Sequence, residues 1–222
     1  MIKAELIDYM GSDLTVVNAA RVSFDKESDW LYDEGSLGDI DLKHSDKRLI
    51  TYLARHNHFT PFTHAIITMR ETVPIFLARQ RYKHMIGFTY NEVSRRYVDD
   101  TPEFYVPNEW RERPSKDKKQ GSGGVSEYSD AANEIYTSFC ARALDTYQSF
   151  IDDGIAPEQA RMILPQSMMT SYYVTGSLAA WARAYKLRIA PDSQKEIQDL
   201  AKQWDGIIQP LYPESWKALT HP

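Results

Sequence analysis

The stretch Ala65–Tyr97, AIITMRETVPIFLARQRYKHMIGFTYNEVSRRY, decides how the rest of the chain is read. In its opening run Ile67, Met69, Glu71 and Val73 alternate with Ile66, Thr68, Arg70 and Thr72, the period-two pattern of a strand. Pro74 ends that strand and suits the first turn of a helix, where its missing N–H costs nothing. The helix is expected over about Pro74–Met85, with Gln80, Lys83 and His84 on one face and Leu77, Ala78 and Tyr82 packed elsewhere. Gly87 breaks it. If Asn91–Tyr97 is extended, Glu92, Ser94 and Arg96 project to one side and Val93, Arg95 and Tyr97 to the other. Strand, helix and second extended segment in close succession point to an α+β protein.

Charge carries the functional reading. From Ile75 to Tyr97 the cations Arg79, Arg81, Lys83, Arg95 and Arg96, with His84 if protonated, surround a single carboxylate, Glu92. Such a cluster among apolar residues is costly to fold around unless an anionic ligand shares the charge. A hydroxyl and a guanidinium two residues apart, Ser94 and Arg96, suit a phosphate, and Glu92 suits a sugar hydroxyl or a base N–H. A surface salt-bridge ladder is the competing reading. Arg161 and Arg188, each bracketed by apolar residues, are further ligand-facing candidates against a snorkelling or paired alternative.

Upstream, Ile2–Tyr9 reads as a strand, and Asp13 as the cap of a helix over Leu14–Arg21. Ser23–Ser45 reads as mostly loop, and a second helix runs from about Asp46 to His56-Asn57-His58. Downstream, Asp99–Pro107 reads as irregular or edge structure. Glu112–Ser129, polar and glycine-rich, reads as a mobile surface loop inside one domain spanning residues 1–222. The C-terminal half reads as helical. Ala132–Ile151 carries Ile135, Phe139, Leu144, Tyr147 and Ile151 at helical spacing, and a short helix from Pro157 carries Arg161. Ser167–Lys186 reads as one aromatic-rich helix, and Ser193–Glu196 as a capping box opening a helix with Ile197, Leu200, Ala201, Trp204 and Ile208 on its core face.

At 222 residues, 42% of them hydrophobic, the chain can bury one sizeable core. A net charge of −5 disfavours nucleic acid as a partner, since the positive charge is local. A lone cysteine, Cys140, excludes an intrachain disulfide and a thiolate-rich metal site, and fits a reducing compartment. The N-terminal segment has no signal-peptide pattern and no apolar run reaches membrane-spanning length, so a cytoplasmic location is expected. His56, His58 and His64 raise a metal question, but they lack Asp/Glu–His helical spacing and no metal site is expected. Glycine-rich phosphate loops and dinucleotide fingerprints are absent from the sequence.

Arg79-Gln80, Lys83-His84-Met85 and Asn91-Glu92-Val93-Ser94-Arg95-Arg96-Tyr97 together resemble the signature of flavin-dependent thymidylate synthases, the ThyX family. Ala19–Ser23, His58–His64, Phe104–Pro107, Ala160–Pro165, Leu187-Arg188 and Gln194–Ile197 resemble further family segments in the family's order. The resemblance implies an antiparallel sheet flanked by helices and reductive methylation of dUMP to dTMP. Methylenetetrahydrofolate would supply the carbon, and FAD reduced by NADPH the hydride. It implies flavin contacts from His58, Thr60, Lys83, His84, Met85, Glu92, Ser177 and Arg183. It implies dUMP contacts from Gln80, Lys83, Glu92, Val93, Ser94, Arg95, Arg96 and Arg161, with Arg188 stabilising the ionised N3 side of the uracil. Family members are homotetramers whose sites combine residues of several subunits. The chain departs from the pattern in having Lys-His-Met for Arg-His-Arg and Phe88-Thr89 for a single serine, and Arg81 and Arg95 are expected to restore some phosphate affinity. Two other readings remain open at this point: a metal-dependent nucleotide phosphohydrolase using His56, His58 and His64, and an inactive nucleotide-binding homologue.

Overall fold

The computed structural model describes residues 1–32, 40–98, 100–116 and 120–221. In chain order its elements are β1 (Lys3–Met10), α1 (Asp13–Arg21), β2 (Leu31–Tyr32), β3 (Ile40–Asp41), α2 (His44–Arg55), β4 (Ile66–Pro74), α3 (Ile75–Arg81), β5 (Phe88–Glu92), α4 (Ser129–Asp152), α5 (Pro157–Ala160), β6 (Met169–Ser177), α6 (Leu178–Arg188), α7 (Lys195–Ile208) and α8 (Pro213–Thr220). β1, β4, β6 and β5 form an antiparallel sheet in that order, so the α+β class read from the sequence is the observed one.

The alternation in β4 does what it promised. Ile67, Met69, Glu71 and Val73 are buried, while Arg70 is exposed on the opposite face. The inner face continues through Tyr172 and Val174 of β6 into a core shared with α1, α2, α6, α7 and α8. Trp181, Trp204 and Trp216 are its largest side chains, and the predicted face of α7 (Ile197, Leu200, Ala201, Trp204, Ile208) is fully buried. Losing an indole from such a core typically costs about 3–5 kcal/mol.

Ser167–Lys186, expected as one helix, is instead a strand followed by a helix. β6 is a central strand, paired with β4 from Ile66↔Ser177 to Pro74↔Met169 and with β5 on its other edge. Threonine, tyrosine and valine at Thr170, Tyr172 and Val174 favour the pleated backbone, and these alternate residues are buried. The helical pattern belongs only to Leu178–Arg188, which Ser177 caps by accepting the Ala180 N–H. Gly176 is required where β6 passes Phe88, because a β-carbon there would lie 2.3 and 2.4 Å from two atoms of the ring.

Other expectations change at the capping residues. Asp13 is buried and does not cap its own helix; it accepts the backbone N–H groups of Glu214 and Ser215, both at 2.9 Å, and so caps α8. Within α1 the Ser12 N–H donates to the Thr15 hydroxyl instead. The capping box at Ser193 does not form: its hydroxyl donates to the Leu187 carbonyl, and Glu196 pairs with Arg111 at 2.6 Å. α4 buries Cys140, Ala143 and Tyr147, whereas Ile135 and Phe139 are 73% and 48% exposed because only one stripe of this helix meets the rest of the chain. The 112–129 loop is closed at its base by an Arg111↔Val125 bridge and a 2.8 Å bond from Glu112 N–H to the Gly124 carbonyl. Its residues 117–119 lie outside the described residues, as do 33–39 of the upstream loop.

Candidate active site

The outer face of the sheet is polar, and a groove of about 890 Å³ runs over one end of the sheet, lined from both faces. Arg70, Thr72 and Ser171 reach it from the outer face and Thr170 from the inner one, and Ala78, Arg79 and Tyr82 come from α3 and the turn after it. Glu92, Val93, Ser94 and Arg95 enter from the end of β5, and Arg161 and Met162 from the segment after α5. The chain can present this row because β5 stops at Glu92 and turns, with the Tyr97 N–H reaching the Ser94 carbonyl at 3.0 Å. The predicted extension to Tyr97 is therefore cut short, and Ser94 and Arg96 are not strand neighbours on one face.

Charge along the groove is sorted by partner. Glu92 accepts from the Thr170 hydroxyl at 2.7 Å, which fixes one carboxylate oxygen. Arg95 is held by Asp100 at 2.7 Å. Arg96 leans over Tyr97 and pairs with Glu158 at 3.3 Å. Arg70 donates to the Ser171 hydroxyl at 2.8 Å. Arg70, Arg79 and Arg161 have no carboxylate within ion-pair distance among the described residues. Three guanidiniums beside an ordered carboxylate suit an anion that also carries hydrogen-bond donors. Burial, then the Glu92 charge, pushes the Tyr82 phenol well above its usual range, so it remains a donor beside that carboxylate.

A second cluster lies where the Lys83–Gly87 turn docks on α6. α3 ends at Arg81, so Lys83 and His84 fall beyond the helix; Lys83 is exposed and His84 buried. Gly87 takes φ +79° against Ala180, whose methyl would sit 2.9 Å from a β-carbon there. Arg188 Nε donates to His84 Nε2 at 2.7 Å, and Arg183 donates to the Ile86 carbonyl. Burial and the charges of Arg188, Arg81 and Arg183 draw the His84 imidazole down to about 4, which leaves Nε2 free to accept. Burial, then Arg81, also lowers the Arg188 guanidinium.

Residues 5–214 match the family described as Thymidylate synthase complementing protein. The flavin-dependent thymidylate synthase of Thermosipho africanus is 34% identical over 214 residues, 96% of this chain and 88% of its own length. That of Thermus thermophilus is 33% identical, covering 96% of this chain and 73% of its own. The chain belongs to the flavin-dependent thymidylate synthase family. A solved structure of the UMP/dUMP methylase PolB from Streptomyces cacaoi, bound with 5-Br dUMP, superposes with a TM-score of 0.84 at 33% identity, covering 99% of this chain and 95% of that one.

In this thymidylate synthase family member the predicted site residues divide between the two clusters. Glu92, Val93, Ser94, Arg95 and Arg161 line the groove. His84, Arg183, Arg188 and the buried Ser177 gather around the turn, where Lys83 and Met85 are exposed. Gln80, Arg96 and Arg188 do not line the groove, and His58 and Thr60 are exposed beyond α2. The His56 ring stacks on Tyr52 at 4.3 Å, and no group of three or more His, Cys, Asp or Glu among the described residues could hold a metal ion.

Arg81 is a correction. Its side chain is fully buried, its Nε 3.3 Å from both oxygens of Glu71, and its guanidinium lies 4.3 Å from the Phe88 centroid and 4.8 Å from those of Trp181 and Trp204. It reaches no phosphate; an aromatic box and a buried carboxylate take its charge. Arg70 was not among the expected site residues, and Arg79 belonged to the cation cluster without an assigned contact. The signal for Arg70 was present: it sits on the polar face of an otherwise apolar alternation.

Proposed function

We propose that this chain methylates dUMP to dTMP, taking the carbon from 5,10-methylenetetrahydrofolate and the hydride from FAD that NADPH has reduced. The observation that carries the reading is the groove, in which Ser94, Arg161 and two further guanidiniums flank an ordered Glu92 within a family member. Ser94 and Arg161 would take the nucleotide phosphate, with Arg70 and Arg79 beside them. Glu92, held by Thr170, would accept from the sugar or the base, and the Val93 and Arg95 segment would shape the wall.

The turn cluster suits the flavin. Lys83 and Arg183 offer charge for a pyrophosphate, and Met85 and Ile86, 74% and 76% exposed, offer apolar contact to a flat ring. His84, Ser177, His58, Thr60 and Glu92 would complete its contacts. Bound there, the flavin would supply the hydride. A fixed guanidinium beside N3 of the uracil favours the electron-rich anion and so activates C5, the role proposed for Arg188. Since Arg188 does not line the groove of its own protomer, a homotetramer that brings Arg188 and Gln80 of one copy to the groove of another would complete the site.

The test is tritium release from [5-³H]dUMP, dependent on methylenetetrahydrofolate and NADPH, by purified protein carrying flavin. Failure with flavin fully bound would overturn the proposal.

A further inference from the structure

We infer that Arg81 and Tyr90 are positioning residues that hold His84, and through it Arg188, in a single orientation. The inference rests on the proposed function only in assigning Arg188 to the substrate.

A buried guanidinium is expensive to desolvate, and one with incomplete partners more so. Arg81 has no exposed surface, its Glu71 contacts are long at 3.3 Å, and its Nη2 makes no hydrogen bond among the described residues. Its shortest polar contact is elsewhere: Nη1 donates to the Tyr90 hydroxyl at 2.6 Å. With the phenol oxygen accepting from Arg81, its own proton is directed to the His84 carbonyl at 2.8 Å. Glu71 is in turn oriented by the Tyr172 hydroxyl, which donates to its Oε2.

This chain of contacts ends at the turn that matters. The His84 backbone is fixed by Tyr90 on one side and by its own N–H to the Arg81 carbonyl, at 3.0 Å, on the other. Both anchors of the residue therefore come from the Arg81–Tyr90 pair. With the backbone fixed, the buried imidazole presents Nε2 to Arg188 Nε at 2.7 Å. Accepting at Nε2 requires the proton on Nδ1, so the arrangement selects one tautomer. Arg81 acts here at a distance. It touches neither the groove nor Arg188, and a cation in the aromatic box is explained by the geometry it imposes on Tyr90.

The experiment follows the His84 tautomer by ¹⁵N NMR of imidazole-labelled protein, alongside steady-state kinetics with dUMP. Tyr90→Phe deletes the hydroxyl between Arg81 and the His84 carbonyl while keeping the ring. Tyr172→Phe is the control: it deletes another buried hydroxyl of the same network, bonded to Glu71, without touching His84. The expected result is that wild type and Tyr172→Phe show the Nδ1–H form, while Tyr90→Phe shifts toward Nε2–H. Tyr90→Phe should also lose about tenfold to a hundredfold in kcat, the scale of a small misplacement, with KM for dUMP within about twofold. Arg81→Met should behave like Tyr90→Phe if it folds. Retention of the Nδ1–H form in folded Tyr90→Phe, or an equal shift in Tyr172→Phe, would overturn the inference. Should wild type release no tritium from dUMP, the proposed function fails, and the tautomer measurement still decides the positioning.

Discussion

Replacing Gly176 with alanine adds one methyl group at the most crowded point of the sheet. The new carbon would lie 2.3 and 2.4 Å from Cδ1 and Cε1 of Phe88 and 3.1 Å from the Gly87 carbonyl. Phe88 has little room to yield, since it packs edge-on to Trp181 at 5.0 Å and against Arg81 at 4.3 Å. Overpacking of this type costs about 1–3 kcal/mol. Gly176 does not need a positive φ, so the reduced freedom of the unfolded alanine chain returns about 0.4–1 kcal/mol. The net expectation is a loss of about 1–2 kcal/mol, or roughly 2–8 °C in Tm for a chain of this size. Thermal unfolding monitored by circular dichroism measures it. Phe88→Leu should also destabilise the protein by itself, by losing its aromatic contacts. In the double variant the leucine gives the methyl group space, so the two losses should fail to add by about 1 kcal/mol. Strict additivity, or a Gly176→Ala protein melting with wild type, would refute the packing argument.

Three further outcomes are expected. His84 is held near 4 in the folded chain against an ordinary 6.5, so the unfolded chain binds the extra proton in between. Stability should therefore fall as pH drops from about 6.5 to 4, by at most about 3.5 kcal/mol at roughly 1.4 kcal/mol per unit, and His84→Gln should flatten that slope in urea titrations. Asp13→Ala removes both acceptors at the start of α8 and should cost about 1–2 kcal/mol in denaturant unfolding, with Asp13→Asn recovering part of it. Arg70→Ala, in the groove lining, should raise KM for dUMP about tenfold with little change in Tm, the range for losing one charge-assisted contact.

Much of this was legible in the residues. Ile67, Met69, Glu71 and Val73 alternate because one side of β4 meets the core, and that pattern needs no tertiary knowledge. The groove residues Glu92–Arg95 were named through a family resemblance that covers most of the chain, but the end of β5 at Glu92 was not, since the run was expected to stay extended to Tyr97. β6 was misread because it runs directly into Leu178–Arg188, a sequence of strong helix formers, and Gly176 is the only break between them. Its strand character comes from partners on both edges, β4 and β5, which a local pattern does not display. Arg81 and Asp13 were misassigned for a shared reason. A charged side chain shows its sign in the sequence but not its partner, and here the partners are a box of four aromatic rings and a helix about 200 residues away.

The long reach of Asp13 bears on how the protein is made. Asp13 meets Glu214 and Ser215, the Ala4 N–H meets Gln203, and Tyr212 donates to the Met10 carbonyl, so contacts 199 to 202 residues apart close the structure. Closing a loop of that length costs on the order of 5 kcal/mol of chain entropy before any contact is gained. β1 is paired along its length by β4, from Lys3↔Thr72 to Met10↔Ile66, whereas its contacts with the last two helical segments need residues 203 to 215. β1 is an edge strand in the finished fold, with Leu6, Ile7, Tyr9 and Met10 exposed, so its outer side stays open to another strand. Until residues 203–215 are in place β4 alone holds that strand, and the partly assembled chain is then most open to pairing with its neighbours.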